Sequence, residues 1–317
     1  MPKTITYNKP DHLNELEKLT NSAVELVNWP MSSAYSLSNK VLALQTTRLS
    51  PSLLLKSGLI EQRSMTSLSK DKKIATEESP YGAFNLGLHV GDNIEKVTLH
   101  RNILQHFIRQ EIYSKTTNPR IAKEWSSESD LSEDVEIQWL EQVHGNEVVE
   151  VTVVAKEAMT ADASITRQKN IALAIMTADC LPILLTNKCG NEIAAIHGGW
   201  RSLAANIIAK TLDKMHSKPS DIVAWLGPCI SKHAFEVGSE VKEIFTQQGK
   251  PFSNAFLKQA NGKYLADLHY IARLQLQTLG VTEISGLGEC TYHETNKYYS
   301  YRKEQVTGRM ASLISLR

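Results

Sequence analysis

The chain has 317 residues, 42% hydrophobic and 22% charged, which is enough to bury a sizeable core and unlike a disordered tail. Thirty-five Lys and Arg balance 34 Asp and Glu, and a formal charge of +1 lacks the basic field of a sequence-independent nucleic-acid binder. No apolar run reaches the roughly 18–20 residues that cross a bilayer, polar sequence follows Met1–Tyr7, and Cys180, Cys189, Cys229 and Cys290 are too scattered for a disulfide scaffold. The expectation is a soluble cytoplasmic protein without nucleic-acid or membrane partners.

Leu13, Leu16, Leu19, Ala23, Val24 and Val27 recur at helical spacing, with Asp11 as cap and Pro30 as stop. Val41–Thr47 reads as a strand. Residues 49 to about 79 form a long connection with Ser and Lys runs and a greasy Leu53-Leu54-Leu55, the pattern of an insertion with one amphipathic turn. Asp92 and Glu95 resemble a capping box for a helix through Ile108, and polar sequence from Ser114 to Asp134 follows. Val135–Leu140, Glu147–Val154, Ile171–Ala178, Leu181–Thr186 and Glu192–Ile196 are strand candidates. Trp200 opens a helix with the stripe Leu203, Ile207, Ile208, Thr211, Leu212 and Met215. Strand Ile222–Leu226, helices Val237–Gln247 and Asp267–Leu279, and strand Thr282–Ser285 come next. Tyr298–Arg302 reads as a strand edge and Met310–Leu316 as a last strand, while His12, His100, His106, His216 and His233 read as surface residues. Mixed but not strictly alternating elements predict an α+β (mixed α/β) chain.

Three segments each place a metal-competent side chain just past an apolar strand: His144 in Glu141-Gln142-Val143-His144-Gly145, Cys180 in Asp179-Cys180-Leu181-Pro182, and His197 in Ile196-His197-Gly198-Gly199-Trp200-Arg201. Two imidazoles and a thiolate suit zinc and leave a fourth position open. Separations of 36 and 17 residues match no local finger pattern, so spacing alone favours core or turn histidines and a buried thiol over a metal site. Gly198-Gly199 at a strand–helix junction, followed by Arg201, reads as an anion site or as a plain tight turn. A zinc-deaminase signature, a Walker A loop and a dinucleotide fingerprint are all missing. Asp267 is most simply a helix cap. Asp179, next to Cys180, points away from it as a structural acid, and Asp162 is placed to orient a ligand. Glu141 and Gln142 lie within reach of the same site.

At these residues the chain resembles the family described variously as laccase-domain polyphenol oxidases, peptidoglycan editing factors and purine nucleoside phosphorylases. The likeness runs through Thr46-Thr47-Arg48, Asn85-Leu86-Gly87, His89-Val90-Gly91-Asp92, Glu141–Gly145, Ala161-Asp162-Ala163, Thr177–Pro182, Trp225–Pro228, Ser300-Tyr301-Arg302 and Thr307-Gly308-Arg309. The family usually has Ala where Gly198 stands, and its Gly-Gly-Val-Ser segment is replaced by residues 49–78. The resemblance implies a single domain of mixed β-sheets with flanking helices, cysteine-hydrolase-like in fold, at residues 41–317. Residues 1–40 would be a helical N-terminal extension and about 49–78 an insertion. It also implies zinc, or copper, on His144, Cys180 and His197 as catalytic residues, with Arg48, Asn85, His89 and Arg201 binding substrate and phosphate. The implied reaction is phosphorolysis of adenosine, inosine and S-methyl-5'-thioadenosine by a monomer or homodimer, with adenosine deamination beside it. Three rivals remain: a cysteine hydrolase acting on peptidoglycan precursors through Cys180 and His197, a copper-dependent polyphenol oxidase, and a non-catalytic metal or nucleoside binder.

Overall fold

A strand buried on both faces carries apolar side chains at nearly every position, and the central strands of this chain do so. The computed structural model describes residues 23–30, 32–33, 37–51, 79–116 and 135–317. Strands β1 (Val24–Leu26) and β2 (Val41–Thr46) precede helix α1 (Ile94–Thr116). Five short strands follow: β3 (Glu136–Gln138), β4 (Leu140–Glu141), β5 (Val148–Glu150), β6 (Met159–Thr160) and β7 (Ala163–Thr166). Next come β8 (Ile171–Thr177), β9 (Leu181–Asn187), β10 (Ile193–Gly198), α2 (Trp200–Ala204), α3 (Ile207–Lys214) and β11 (Ile222–Leu226). The chain finishes with β12 (Glu236–Val237), α4 (Ser239–Gln248), β13 (Phe256–Lys258), β14 (Tyr264–Ala266), α5 (Leu268–Thr278), β15 (Glu283–Gly286) and β16 (Met310–Leu316).

Two mixed sheets carry the architecture, a five-stranded one in the order β1-β2-β16-β8-β3 and a six-stranded one in the order β15-β11-β9-β10-β7-β5. The period of two along each strand sorts side chains between layers. Leu173 and Ile175 of β8 meet Leu184 of β9, Ala195 of β10 and Trp225 of β11 in an inter-sheet core. Their neighbours Ala172 and Ala174 face α1 through Leu104, Phe107 and Ile108. On the far side, Ile183, Leu185, Ala194 and Ile196 pack on Leu203, Ile208, Leu212, Phe245 and Ile271 of helices α2 to α5. The result is four layers, helix–sheet–sheet–helix, in one domain of mixed helices and sheets. Each fully buried Leu, Ile or Phe in these layers contributes about 1.5–3 kcal/mol of burial. Among the described residues no helix is long and apolar enough to cross a membrane.

Where the expected elements differ, tertiary pairing explains the difference. The N-terminal helix lies outside the described residues up to Ser22, and Val24–Leu26 forms a strand paired antiparallel with Leu44–Thr46. An edge place beside β2 overrides its helical spacing. The insertion at 52–78 and residues 117–134 also lie outside the described residues. Helix α1 extends past Ile108 to Thr116, and Asn93 rather than Asp92 caps it by accepting from the Lys96 N–H at 2.9 Å. The helix from Trp200 is broken in two at Asn206, whose φ of 62° is left-handed. Tyr298–Arg302 forms turns, with Tyr298 and Tyr299 buried rather than at a strand edge. His100 is buried, its Nδ1 2.9 Å from the Asn85 carbonyl, and burial pushes its pKa down to about 4. The small β12-β14-β13 sheet was not legible in the sequence.

Candidate active site and metal centre

The hairpin register brings two of the three candidate ligands together. Strands β9 and β10 pair antiparallel with His197 opposite Pro182 and Gly198 opposite Leu181, so Cys180 at the mouth of the hairpin lies beside His197. Seventeen residues is therefore the length of a hairpin and not a random separation. Ala178–Cys180 is also where the chain crosses from β8 in one sheet to β9 in the other. His144 lies on a second crossing, between β3 and β5, at the same end of the sandwich. Strand β7 runs beside β10 with Ala163 opposite Ile196, which sets Asp162 against His197.

Asp162 holds the arrangement. Its Oδ1 accepts from His197 Nδ1 at 2.8 Å and from the His144 N–H at 2.9 Å. Its Oδ2 accepts from the Gly145 N–H at 2.6 Å and the Val143 N–H at 3.3 Å. Four donors on one buried carboxylate fix the His144 loop and the His197 ring together, and they let His144 hold a φ of 59° that a free loop would avoid. Gln142 adds a second clasp, donating to the Met176 carbonyl at 2.8 Å and accepting from the Met176 N–H at 2.7 Å. Asp179, at φ 98°, turns away from Cys180 as expected, accepting from Thr291 Oγ1 at 2.7 Å and the Arg302 N–H at 2.6 Å. Glu141 is exposed and accepts from Thr160.

His144, Cys180 and His197 thus meet, their ligand atoms within 4.8 Å of one another. The two imidazoles stand edge to face with centroids 4.8 Å apart. Burial pushes the Cys180 thiol up, but the charge of His197 and hydrogen bonds with both histidines outweigh it and bring the pKa down to about 6. Burial likewise opposes charge on His197, and the Cys180 thiolate with Asp162 raises it to about 9. The two shifts reinforce each other and favour a thiolate beside an imidazolium. Gly199 permits this approach, since a Cβ there would lie 3.3 Å from both Cys180 Sγ and His197 Nε2. The donor set fits a zinc ion: two imidazole nitrogens and a thiolate around one centre, with a carboxylate behind one histidine fixing its tautomer.

The centre opens on a cleft of about 810 Å³, within the size range of small-molecule sites. Of the four expected substrate and phosphate residues, only His89 lines it. Arg48 donates to the Thr295 carbonyl at 2.8 Å and pairs with Glu304 at 3.6 Å. Asn85 is buried, bonded to Asp92, Gly87 and the Arg309 N–H. Arg201 is exposed and folds over Trp200, and a five-residue α2 is too short to focus its dipole on an anion. The guanidiniums on the cleft wall are Arg101 and Arg309 instead. Arg309 stands in the Thr307-Gly308-Arg309 match, so its segment was visible; Arg101 sits mid-helix on α1 and carries no sequence signal.

This fold, with two sheets feeding a His–Cys–His centre at their crossings, belongs to a recognised class. Residues 115–317 match the family described as multi-copper polyphenol oxidoreductase laccase, and the chain belongs to that family. It is 41% identical over 237 residues to a protein named purine nucleoside phosphorylase YfiH from Shigella flexneri, covering 75% of this chain and 88% of the relative. A purine nucleoside phosphorylase YfiH from Escherichia coli strain K12 is 40% identical with the same coverage. Among solved structures, the Neisseria meningitidis protein NMB0706 superposes with a TM-score of 0.69 at 34% identity, covering 87% of this chain and 94% of that one. YlmD from Geobacillus stearothermophilus gives 0.65 at 25% identity over 87% and 92%.

Proposed function

We propose that this chain is a zinc-dependent purine nucleoside phosphorylase that acts on adenosine, inosine and S-methyl-5'-thioadenosine and also deaminates adenosine. The observation that carries this reading is the meeting of His144, Cys180 and His197 on one cleft large enough for a nucleoside and a phosphate. Two relatives at 41% and 40% identity bear the phosphorylase name. His144, Cys180 and His197 would hold the ion. When bound, it supplies a Lewis acid that polarises an oxygen or lowers the pKa of water.

The chain's own residues do the rest. Asp162 accepts from His197 Nδ1 and so leaves Nε2 turned to Cys180. Holding the His144 backbone on the same carboxylate keeps both rings in place as substrate enters, so orientation is set before binding. Leu88, Trp139, Leu140 and Val143 supply apolar surface for a purine, Arg101 and Arg309 supply positive charge on the wall beside it, and His89 adds an imidazole. Glu141 and Glu157 give the cleft an acidic rim suited to sugar hydroxyls and amino groups. In phosphorolysis a phosphate oxygen bonds to the sugar's anomeric carbon while the bond to the purine nitrogen breaks, and the base leaves with a proton.

Incubating the pure protein with adenosine, with and without phosphate, and resolving the products tests this. Phosphate-dependent adenine supports phosphorolysis, and inosine formed without phosphate supports deamination. His144→Ala is expected to lose both zinc and adenine release; retention of both would refute the assignment.

A second reading has its own observation. Cys180, His197 and Asp162 also form a nucleophile–base–orienter series, with the thiol already lowered to about 6. In a cysteine hydrolase of peptidoglycan precursors, His144 would have no ligand role. Zinc stoichiometry separates the two, because a metal-bound sulfur is not free to attack. The family's name invites copper and phenol oxidation, but His144, Cys180 and His197 are the one three-ligand group among the described residues, whereas a multicopper relay needs further clusters.

A further inference from the structure

Two guanidiniums lie half-buried on one wall of the cleft without a carboxylate partner among the described residues. Arg101 is stacked over the Trp139 ring, 4.0 Å from its centroid, and donates through Nε to the Leu86 carbonyl at 2.9 Å. One of its Nη groups rests 3.6 Å from the Met176 sulfur, a weak acceptor, and the other makes no hydrogen bond to a described residue. Arg309 lines the cleft and donates through Nη1 to the Thr307 and Gly308 carbonyls at 3.2 and 3.0 Å, while its Nε and Nη2 make no hydrogen bond to a described residue. His89 lines the same cleft. Burial, then Arg309, then Arg101 lower its pKa, so both positive charges are felt at one imidazole. Burial also lowers the two arginines, Arg101 to about 10.

Charge withdrawn from water without a counter-ion is costly, and proteins keep it where a ligand supplies the opposite sign. Both forks are braced by backbone carbonyls or an aromatic face, and both have donors left over. Planar forks of this kind match a phosphate in a way that ammonium groups do not. We infer that Arg101, Arg309 and His89 form an oxyanion subsite facing the His144–Cys180–His197 centre, and that it takes free orthophosphate, the second substrate of the proposed phosphorolysis. This rests on that reading for the identity of the phosphate but not for the subsite itself.

The test is calorimetric titration of the zinc-loaded full chain with inorganic phosphate, and separately with adenosine 5'-monophosphate, at constant ionic strength. Wild type is expected to bind phosphate, and Arg101→Gln and Arg309→Gln are each expected to weaken it at least about tenfold. Arg309→Lys, which keeps the charge and loses the fork, should fall between and guards against a folding failure at Arg101. The KM for phosphate should rise with the dissociation constant and more than the KM for adenosine. Absence of phosphate binding by wild type, or variants within twofold of it, would overturn the subsite. Binding of the monophosphate alone through these arginines would overturn orthophosphate as the occupant. Arginine-dependent phosphate binding without adenine release would instead refute the phosphorylase reading and leave the subsite standing.

Discussion

Replacing Asp162 by Asn tests the reasoning most directly, because size is kept and charge is removed. One carboxylate oxygen becomes an NH2 group. If that group replaces Oδ2 it faces the Gly145 and Val143 N–H groups, and if it replaces Oδ1 it faces the His144 N–H and His197 Nδ1. Either way two donors confront a donor in a fully buried place. Losing one partner of a buried charged network costs about 3–5 kcal/mol. In the second orientation His197 can shift its proton to Nε2, which removes the lone pair that a metal needs. The expected loss of zinc affinity is about 10–100-fold, as for other carboxylates behind a ligating histidine. Denaturant melts give the first quantity and chelator competition the second.

The pH dependence carries an independent sign. Burial pushes the Asp162 carboxyl up, but the bonds from His197, Gly145 and His144 more than offset it and leave the pKa below the ordinary carboxylate value. A depressed folded pKa means the stabilisation is complete above the unfolded value of about 4 and fades as pH falls through the folded one. The stability gap between wild type and Asp162→Asn should therefore narrow only below about pH 4. A variant with zinc affinity within twofold of wild type and an unchanged melt would show that Asp162 does not hold the centre.

In metal-stripped protein, Cys180 should alkylate with a midpoint near pH 6, because thiolate persists above that pKa; a midpoint near 8.5, that of a free thiol, would disprove the thiolate–imidazolium pair. Gly199→Ala puts a methyl 3.2–3.3 Å from the His197 ring and the Cys180 sulfur, and should lower zinc affinity at least about tenfold while costing the fold only about 1 kcal/mol. Equal metal loading in wild type and variant would count against the tight approach. Asn206→Ala, at a left-handed φ of 62°, should cost about 1–2 kcal/mol, whereas Asn206→Gly should be neutral or better by melting temperature. An alanine variant as stable as wild type would mean that α2 and α3 do not depend on that break.

The core strands were legible because their apolar runs are local facts. Ile171–Thr177, Leu181–Asn187 and Met310–Leu316 are buried throughout, and largely apolar runs of that length leave few alternatives to a doubly covered strand. The Asp267 cap was equally visible, since capping is decided within four residues: Asp267 accepts from the Tyr270 N–H at 2.9 Å. The chemical types of the three ligands also stood in the sequence at strand ends. Short strands such as β1 and β12 to β14 exist only because a neighbour pairs with them, so their residues carried no sufficient local signal.

What amino-acid order alone determined was the layered α+β class, the long strands, and the two histidines and one cysteine fit to hold a metal. What tertiary structure decided was which charged groups reach them. Arg48 and Arg201 share the residue type of Arg101 and Arg309 and sit in segments more suggestive than that of Arg101, yet the first is occupied by Glu304 and Thr295 and the second lies exposed over Trp200. Only the packing of α1 and of the segment before β16 against the sheet crossings turns Arg101 and Arg309 into the cleft. A side chain's chemistry is local, but its neighbours across 100 residues are set by register and layer packing, and no window of sequence contains those.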